Sequence, residues 1–314
     1  MPATAGRMAL ALQHTSDRRQ PVTASTYETI RYEIEDGIAT ITLNRPERMN
    51  AMTSRMTQDL LRVFDETDAN DDVRCIILTG AGRAFCAGAD LGGGATFNYE
   101  SLADPDLELT RVGDIYRDGA GLVTLRMFES LKPVISAVNG PAVGAGVTMQ
   151  LATDIRIAST EARFGLVFAR RGIAPDGAAS WFLPKLVGMQ TALEWCLSGR
   201  VFPAQEALDR GLVRSLHAPD ELMPAARALA REIADNTAPV SVALTRQLLW
   251  RMAGADHPME AHKVDSRAIQ SRGASEDAKE GVGAFLEKRA PRYPNRVSTD
   301  LPNPFLDWPE RSFT

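Results

Sequence analysis

Short apolar segments alternate with segments of helical spacing along the first two thirds of the chain, and this alternation most constrains the fold. Residues 73–80 form a compact apolar run that ends at a glycine, and residues 134–138 and 154–159 are further short strands. Between them, apolar side chains recur at helical spacing over residues 53–67 and 114–130. Repeated strand–helix units predict an α/β fold with crossover connections.

The ordered part of the chain is expected to begin near Tyr27. Two alternating runs flank Asp36-Gly37, which is a strong signal for a β-hairpin. Thr53 is placed to cap the helix that follows. The last third of the chain is largely helical, with apolar spacing that predicts helices over residues 203–210, 220–235, 240–252, 257–271 and 275–288. From Pro291 onward the chain contains 5 prolines in 24 residues and is expected to extend or wrap rather than fold alone.

Composition argues against several classes of function. The net charge of -5 does not indicate nucleic-acid binding, which requires an excess of basic residues. An anionic ligand must therefore be bound by a local cluster of basic residues. The 3 cysteines form no C-x-x-C pair and the 4 histidines are scattered, which predicts reduced thiols and no metal site. No segment is long and apolar enough to predict a membrane span. The first 26 residues lack a secretory signal, so a cytoplasmic protein is expected, with a mitochondrial-type transit segment as the minor alternative.

Two glycine-rich turns carry the strongest functional signal. The first, residues 85–91, follows the buried strand of residues 73–80, and the second, residues 139–147, joins a strand to a helix that opens near Ala145. Each turn exposes backbone N–H groups with little side chain around them, so a carbonyl oxygen can approach closely. The second turn lies at a helix N-terminus, where the macrodipole favours negative charge. The alternative interpretation is that these glycines only permit tight turns.

A series of short motifs runs through the chain from about residue 27 to 290. The motifs are Asn44-Arg45-Pro46 with Asn50-Ala51, residues 85–90, residues 138–154, Phe164-Gly165, and residues 172–188, 197–200, 207–213 and 284–289. In this order and at this spacing they resemble the enoyl-CoA hydratase/isomerase (crotonase) family. The resemblance implies an α/β fold with a spiral core of ββα turns, and assembly as a homotrimer or a dimer of trimers.

The same resemblance divides the chain into four parts. Residues 1–26 are expected to be a flexible tail, and residues 27–217 the spiral core with the site for a CoA thioester. Residues 218–290 are expected to be a helical oligomerisation region, and residues 291–314 a proline-rich tail. The substrate is expected to be an acyl-CoA thioester, with no cofactor beyond the coenzyme A that it carries, and no membrane or nucleic acid as partner.

For chemistry, the resemblance implies a two-donor oxyanion hole. The thioester carbonyl would lie between the backbone N–H groups of Ala89 and Ala145, which would stabilise an enolate. The CoA half would be held by Arg48, Ala51 and the backbone of Ala87 and Gly88. Phe285 and Lys288 would contribute from a neighbouring subunit. Arg48 and Lys288 would supply local positive charge for phosphate, although both fit equally well as solvated surface charges.

The chain departs from the hydratase pattern at the two positions where that pattern has catalytic glutamates. Thr148 and Phe168 stand there, and neither side chain can act as a general base at neutral pH. Asp176 lies nearby in the sequence, at a position where related isomerases and dehalogenases use an aspartate. Burial near Phe168 and Trp181 would raise its pKa and make it a stronger base. The alternative interpretation is that Asp176 opens and caps a helix.

Three functions remain open from the sequence. The first is a double-bond isomerase or related lyase that shuttles a proton through Asp176. The second is an enoyl-CoA hydratase in which Asp176 or another group activates water, and the third is a CoA-thioester-binding scaffold without catalysis. Tyr116, Arg117 and Asp118 border the acyl pocket in the family and are weaker candidates for assisting roles. A nucleophilic dehalogenase is disfavoured because no histidine lies near the first turn.

Overall fold

The computed structural model describes residues 27–92, 111–306 and 311–313. The predicted N-terminal tail, residues 1–26, lies outside the described residues, as do residues 307–310 and 314 of the predicted proline-rich tail. The boundaries expected at residues 217 and 290 stay predictions. Among the helices of the described residues, none is both long enough and apolar enough to cross a bilayer.

The strands, in chain order, are β1 (Ile30–Glu35), β2 (Ile38–Leu43), β3 (Cys75–Gly80), β4 (Arg111–Val112), β5 (Ile115–Tyr116), β6 (Val134–Val138), β7 (Ala142–Val143), β8 (Ile155–Ser159), β9 (Arg163–Gly165), β10 (Val201–Pro203) and β11 (Ser215–His217). The helices are α1 (Ser54–Ala69), α2 (Gly119–Glu129), α3 (Ala145–Thr148), α4 (Ala179–Val187), α5 (Met189–Ser198), α6 (Ala204–Asp209), α7 (Leu222–Asn236), α8 (Pro239–Met252), α9 (Pro258–Gly273), α10 (Glu276–Glu287) and α11 (Val297–Asp300). Short 3₁₀ helices cover Pro46–Arg48, Met149–Ala152 and Ala169–Arg171.

Two sheets organise the core. The larger has the order β1-β2-β3-β6-β8-β11, in which β1 and β2 form the predicted antiparallel hairpin and the remaining neighbours are parallel. Asp36 and Gly37 make its turn with φ of 50° and 77°, so the hairpin prediction is confirmed. The smaller sheet has the order β10-β9-β7. Strands β6 and β8 of the large sheet are each followed by one strand of the small sheet and then a helix, which repeats a ββα unit.

The large sheet is buried on both faces. One face of it packs against α7, where Ile77, Ile135 and Ile157 meet Leu222 and Ala226. The other face belongs to the main core with α1 and α2. Parallel strands that are covered on both faces become continuous apolar runs rather than alternating ones. This explains why the sequence of β3 shows no alternation.

Two helices begin later than the sequence indicated. The helix expected from residue 114 begins at Gly119, because residues 111–116 form a two-stranded hairpin that turns at Gly113 with φ of 59°. The helix expected to open at Asp176 begins at Ala179, after two residues in the left-handed region. Thr53 caps α1 as predicted, since its side chain accepts a hydrogen bond from the backbone N–H of Met56 at 3.2 Å.

The C-terminal part consists of the helices α7 to α10 and a segment that returns to the core. Val297 of α11 packs with Val240, Ala243 and Leu244 of α8. Ser298 donates a hydrogen bond from its backbone N–H to Asp71, next to the end of α1. The described part of the proline-rich tail therefore lies along the protein surface and fastens α8 to the core.

Candidate functional site

The two glycine-rich turns lie against each other at one edge of the large sheet. They follow β3 and β6, which are parallel neighbours, so both strands lead their following turns to the same edge. The backbone N–H groups of Phe85 and Cys86 both donate to the carbonyl oxygen of Pro141 at 3.1 Å. In return, the backbone N–H of Val143 donates to the carbonyl oxygen of Cys86 at 3.0 Å. The first and second turns thus form one backbone-to-backbone unit.

Glycine is required at two points of this contact. A Cβ at Gly146 would overlap the carbonyl oxygen of Cys86, so the helix α3 can approach the first turn only without a side chain there. Gly88 has a φ of 97°, and a Cβ on it would lie 2.8 Å from the carbonyl oxygen of Val143. The same Cβ would lie 3.8 Å from the backbone nitrogen of Ala145, which shows how closely the first turn approaches the start of α3.

Ala89 and Ala145 present their amides at this junction. Met52 pairs with Ala89 in a parallel bridge that uses the amides of Met52 and Asp90, which leaves the Ala89 N–H directed away from the pairing. Ala145 is the first residue of α3, where a helix leaves its N–H groups without a partner in the helix itself. Across the part of the chain that the structure describes, neither amide donates a hydrogen bond. The two predicted donors therefore lie close together, and no described residue accepts a hydrogen bond from either.

Asp176 lies beside the second turn. Its carboxylate oxygen Oδ1 accepts a hydrogen bond from Oγ1 of Thr148 at 2.5 Å, and Thr148 is the last residue of α3. Burial raises the pKa of Asp176 to about 6, against the lowering effect of the Thr148 hydrogen bond, and the negative charge of Asp118 raises it further. The predicted rise is thus confirmed. The helix-cap interpretation of Asp176 is wrong, because α4 begins at Ala179 behind Ala178, with no side-chain cap.

Thr148 and Phe168 occupy the positions that the resemblance assigns to glutamates. Thr148 is fully buried and its hydroxyl is engaged with Asp176. Phe168 is buried as well, and its ring lies close to Gly144, where a Cβ would be 3.9 Å from the ring carbon Cζ. One position therefore supports the carboxylate and the other presents an apolar ring to the second turn.

Asp118 was only a weak candidate from sequence, and the structure brings it to the same place. Its side chain caps α2 by accepting from the backbone N–H of Gly121 at 2.5 Å. The same oxygen, Oδ1, accepts from the backbone N–H of Gly177 at 2.9 Å. The sequence signal available for Asp118 is its fit as a helix cap. That signal carries no information about Gly177, which is 59 residues away along the chain.

The residues expected to hold the CoA half lie at the outer side of the first turn. Arg48 is exposed on the 3₁₀ helix that follows β2, and Ala51 is buried. The backbone N–H of Ala87 donates to the carbonyl of Met49 at 3.0 Å. Gly88 is buried, and its carbonyl oxygen accepts from the Met52 amide at 2.7 Å. The predicted CoA segments are thus connected to one another by backbone hydrogen bonds.

An ion pair that was not predicted from the sequence holds the first turn and the Ala51 segment together. Arg45 forms a salt bridge with Asp90, with 2.8 Å between Nη2 and Oδ2, and its Nη1 donates to the carbonyl of Ala51 at 2.5 Å. The Asp90 pKa is lowered chiefly by a hydrogen bond from the Gly92 amide, opposed by burial, and also by Arg45 and Arg48. Because Arg45 joins the Ala51 segment to the residue after Ala89, it fixes the first turn relative to the predicted CoA site.

Phe285 and Lys288 lie elsewhere on the chain. Phe285 is on α10 with 80% of its side chain exposed, and Lys288 ends that helix in the left-handed conformation. Helix α10 packs against α9, at the C-terminal part of the protein. A single chain therefore does not bring Phe285 and Lys288 to the two turns.

Cys86 is the cysteine of the first glycine-rich turn. The Cys86 thiol is fully buried, and burial raises its pKa to about 12, so it stays protonated and packs as a small apolar side chain. Among the residues that the structure describes, no group of three His, Cys, Asp or Glu side chains is placed to hold a metal ion.

Comparisons with known proteins match this arrangement over most of the chain. The sequence profile of the family described as enoyl-CoA hydratase/isomerase matches residues 33–296. Enoyl-CoA hydratase AFT3-1 of Alternaria alternata is 39% identical over 273 residues, which cover 87% of this chain and 88% of that protein. The 1,2-epoxyphenylacetyl-CoA isomerase of Escherichia coli is 34% identical over 273 residues, which cover 85% of this chain and 98% of that protein.

The fold agrees with the sequence comparison. The crystal structure of a probable enoyl-CoA hydratase/isomerase from Mycobacterium abscessus superposes with a TM-score of 0.76 at 37% identity, covering 85% of this chain and 99% of that one. This match confirms the crotonase-like core followed by a C-terminal helical region. With the ββα units, the paired glycine-rich turns and a family profile that spans most of the sequence, the chain belongs to the enoyl-CoA hydratase/isomerase family of enzymes that act on acyl-CoA thioesters.

Proposed function

We propose that this enzyme moves a double bond in an acyl-CoA thioester by transferring a proton through Asp176. The observation that carries the proposal is the linkage between Asp176 and the candidate oxyanion hole. Helix α3 begins with the Ala145 amide and ends with Thr148, whose hydroxyl donates to the Asp176 carboxylate at 2.5 Å. One helical turn therefore holds both a donor for a developing negative charge and a contact that orients a base.

The proposed reaction needs one base and one oxyanion hole. The Asp176 carboxylate removes a proton from a carbon that is conjugated with the thioester. The electron pair of that C–H bond moves toward the thioester carbonyl, whose oxygen becomes the enolate oxygen between the amides of Ala89 and Ala145. The protonated Asp176 exchanges its proton with solvent in part of the turnovers and then returns a proton to a different carbon of the same conjugated system. Atoms and charge balance within the substrate and Asp176, so no cofactor is needed beyond the CoA of the thioester.

The raised pKa of Asp176 suits this role. At about 6 it leaves the carboxylate mostly ionised at neutral pH, while making it a stronger base than an exposed aspartate with a pKa of 3.8. The buried ring of Phe168 beside Gly144 gives the second turn an apolar neighbour, which is consistent with this role. The rate should therefore fall as the pH is lowered through about 6, when Asp176 becomes protonated.

Membership of the family indicates an acyl-CoA thioester as the substrate. Assays on a panel of related thioesters would identify the acyl group. One relative at 34% identity is named a 1,2-epoxyphenylacetyl-CoA isomerase, which makes arylacetyl-CoA derivatives worth testing beside straight-chain enoyl-CoA. Several relatives are named enoyl-CoA hydratases, including the protein of Alternaria alternata at 39% identity. Hydration is thus the second candidate, with Asp176 activating water that adds to the β carbon.

We also propose that the protein assembles as a homotrimer or a dimer of trimers. Large apolar side chains are exposed on the C-terminal helices, among them Ile269 at 72%, Val282 at 61% and Phe285 at 80%. Clusters of exposed apolar residues mark interaction surfaces. In such an assembly Phe285 and Lys288 of a neighbouring subunit would complete the CoA site, which one chain alone does not. A cytoplasmic location stays a prediction.

The deciding experiment is solvent-deuterium exchange into enoyl- and arylacetyl-CoA thioesters, compared between the wild type and Asp176→Asn. Exchange that disappears in the variant, with thioester affinity retained, is the expected result. In parallel, product formed in ¹⁸O-labelled water separates the two candidates, because hydration incorporates the label and isomerisation does not. Exchange that persists unchanged in Asp176→Asn would refute the proposed base. Binding without exchange or turnover in either protein would favour a non-catalytic thioester-binding scaffold.

A further inference from the structure

The backbone directly after Asp176 has a conformation that few residues adopt. Gly177 has a φ of 65° and Ala178 a φ of 53°, so two consecutive residues after Asp176 lie in the left-handed region. For alanine this region is costly, and such residues persist only where surrounding contacts hold them. Something outside the segment must therefore hold it in place.

Two contacts from different helices reach this segment at adjacent residues. From the end of α3, the Thr148 hydroxyl donates to the Asp176 carboxylate at 2.5 Å. From the start of α2, Oδ1 of Asp118 accepts from the backbone N–H of Gly177 at 2.9 Å. A Cβ on Gly177 would lie 2.7 Å from the Thr148 Oγ1, so the Gly177 backbone itself lies tightly against Thr148. The segment is held from both helices.

The Asp118 carboxylate is itself fixed in place. Its Oδ1 accepts the Gly121 amide of α2 at 2.5 Å as well as the Gly177 amide. Gly121 leaves room for it, since a Cβ there would lie 2.6 Å from Oδ2 of Asp118. A carboxylate held by a helix N-terminus is a rigid acceptor, because its rotamer is set by the cap.

We propose that Asp118 is a positioning residue for catalysis: it holds the segment of Asp176 against the second turn through the Gly177 amide. This inference rests on the proposed function, since it concerns the residue assigned there as the base. Asp118 touches the backbone of Gly177 and not the reacting atoms. It acts on the reaction by fixing where the Asp176 carboxylate lies relative to the amides of Ala89 and Ala145.

The position of Asp118 also has an electrostatic consequence. The groups that act on Asp176 are the Thr148 hydroxyl from α3, the Asp118 carboxylate from the start of α2, and the backbone amide of Asp176 itself; Asp176 in turn raises the pKa of the Cys86 thiol. Asp118 is the like charge in this set and raises the pKa of Asp176, after burial as the larger cause. Removal of that charge with the hydrogen-bond acceptor retained should therefore lower the pKa of Asp176.

A plain helix cap makes a different prediction. Capping needs only a side-chain acceptor, and Asn or Ser serves almost as well as Asp. Asp118→Asn keeps an oxygen for the Gly121 and Gly177 amides and removes the charge, whereas Asp118→Ala removes both. Asp114→Asn is the matched control, because Asp114 is a fully exposed carboxylate four residues earlier.

The test uses the full-length enzyme and two readouts. The first is a ¹³C-carboxyl NMR titration of Asp176, assigned by the signal that Asp176→Asn lacks; it needs no substrate. The second is kcat and KM on the best thioester of the panel. Asp118→Ala should lose kcat on the order of 10²-fold with KM within about threefold, because a misplaced base slows chemistry more than binding. Asp118→Asn should retain most of kcat and shift both the NMR midpoint and the acidic limb of the rate profile to lower pH.

The outcomes separate this inference from the proposed function. An unchanged Asp176 midpoint in Asp118→Asn, together with a wild-type kcat in Asp118→Ala, would overturn the role of Asp118 even if Asp176→Asn is inactive. Full exchange activity in Asp176→Asn would instead overturn the proposed function, while the NMR midpoint would still report whether Asp118 acts on Asp176. If Asp118→Ala does not fold, Asp118→Ser keeps the cap, shortens the reach to Gly177, and is expected to lose kcat in the same sense.

Discussion

The carboxyl group of Asp176 is ionisable and largely buried. Replacing Asp176 by asparagine measures how this burial changes the free energy of unfolding. Asn has nearly the same shape, and its side-chain oxygen can accept the hydrogen bond that Thr148 now donates to Asp176. The two proteins should therefore differ mainly in one titrating group. Any pH dependence in the difference between their free energies of unfolding belongs to Asp176 and to the groups coupled with it.

The magnitude follows from the pKa. The unfolded carboxyl loses its proton near 3.8 and the folded one at about 6. Between these values the folded state holds more protons than the unfolded state, so stability falls as the pH rises through this window. At about 1.36 kcal/mol per pKa unit, the ionised form destabilises the fold by about 3 kcal/mol at neutral pH. At about pH 4.5 the destabilisation is about 1 kcal/mol. Between about pH 4.5 and about pH 7.5 it therefore increases by about 2 kcal/mol.

The assay is urea unfolding of the wild type and Asp176→Asn at these two pH values. The variant should be the more stable protein at neutral pH, and its advantage should shrink by about 2 kcal/mol at the lower pH. Asp114→Asn, which changes a fully exposed carboxylate, should show no such pH-dependent gain. A stability difference between Asp176→Asn and wild type that is the same at both pH values would refute the claim that Asp176 is ionised at a buried site.

Two further predictions test the oxyanion hole and the assembly. Ala145→Pro replaces the amide hydrogen at the first position of α3 by a ring carbon, and should lower the exchange rate on the order of 10²–10³-fold and weaken thioester binding as well. Ala145→Gly keeps the donor and should lose far less, so equal losses in both variants would contradict a role for the N–H. In sedimentation equilibrium the chain of 34.1 kDa should have three or six times that mass, and Ile269→Glu, which places a charge on the exposed apolar surface of α9, should lower it. A monomer at micromolar concentration would contradict the proposed assembly.

Much of the fold was predictable because its signals are local. Asp36-Gly37 between two alternating runs specifies a hairpin, and Thr53 specifies the start of α1, since both depend on residues a few positions apart. The adjacency of the two glycine-rich turns was not predictable from spacing alone. It requires β3 and β6 to be parallel neighbours, and the sequence indicated the adjacency only through the two-donor oxyanion hole that the family resemblance implies.

The starts of two helices were mispredicted for a physical reason. Apolar spacing in residues 114–118 is compatible with a helix, but Gly113 in the left-handed region and the Asp118 cap divide the segment into a hairpin and a later helix. At Asp176 the Pro-Asp-Gly sequence resembled a helix start. There the backbone instead passes through Gly177 and Ala178 in the left-handed region before α4 begins.

The contacts of Asp176 were beyond the sequence because they join distant segments. Thr148 lies 28 residues from Asp176, and Asp118 lies 59 residues from Gly177. Neither pair belongs to a motif with fixed spacing, so only the packing of α2 and α3 around the segment brings them together. The sequence did identify Thr148 and Asp176 as separate positions of interest. The structure shows that Thr148, at a position where the resemblance implies a glutamate, donates a hydrogen bond to the Asp176 carboxylate.

The energetics of this arrangement favour catalysis over stability. A largely buried, ionised Asp176 costs about 3 kcal/mol at neutral pH, and this net figure already includes the stabilising hydrogen bond from Thr148 and the repulsion from Asp118. A protein selected for stability alone would have an amide or an apolar side chain here. In the proposed mechanism this cost has a function, because the same burial that destabilises the carboxylate makes it a stronger base. A costly carboxylate beside two unused amides is therefore more consistent with an active proton-transfer site than with a binding scaffold.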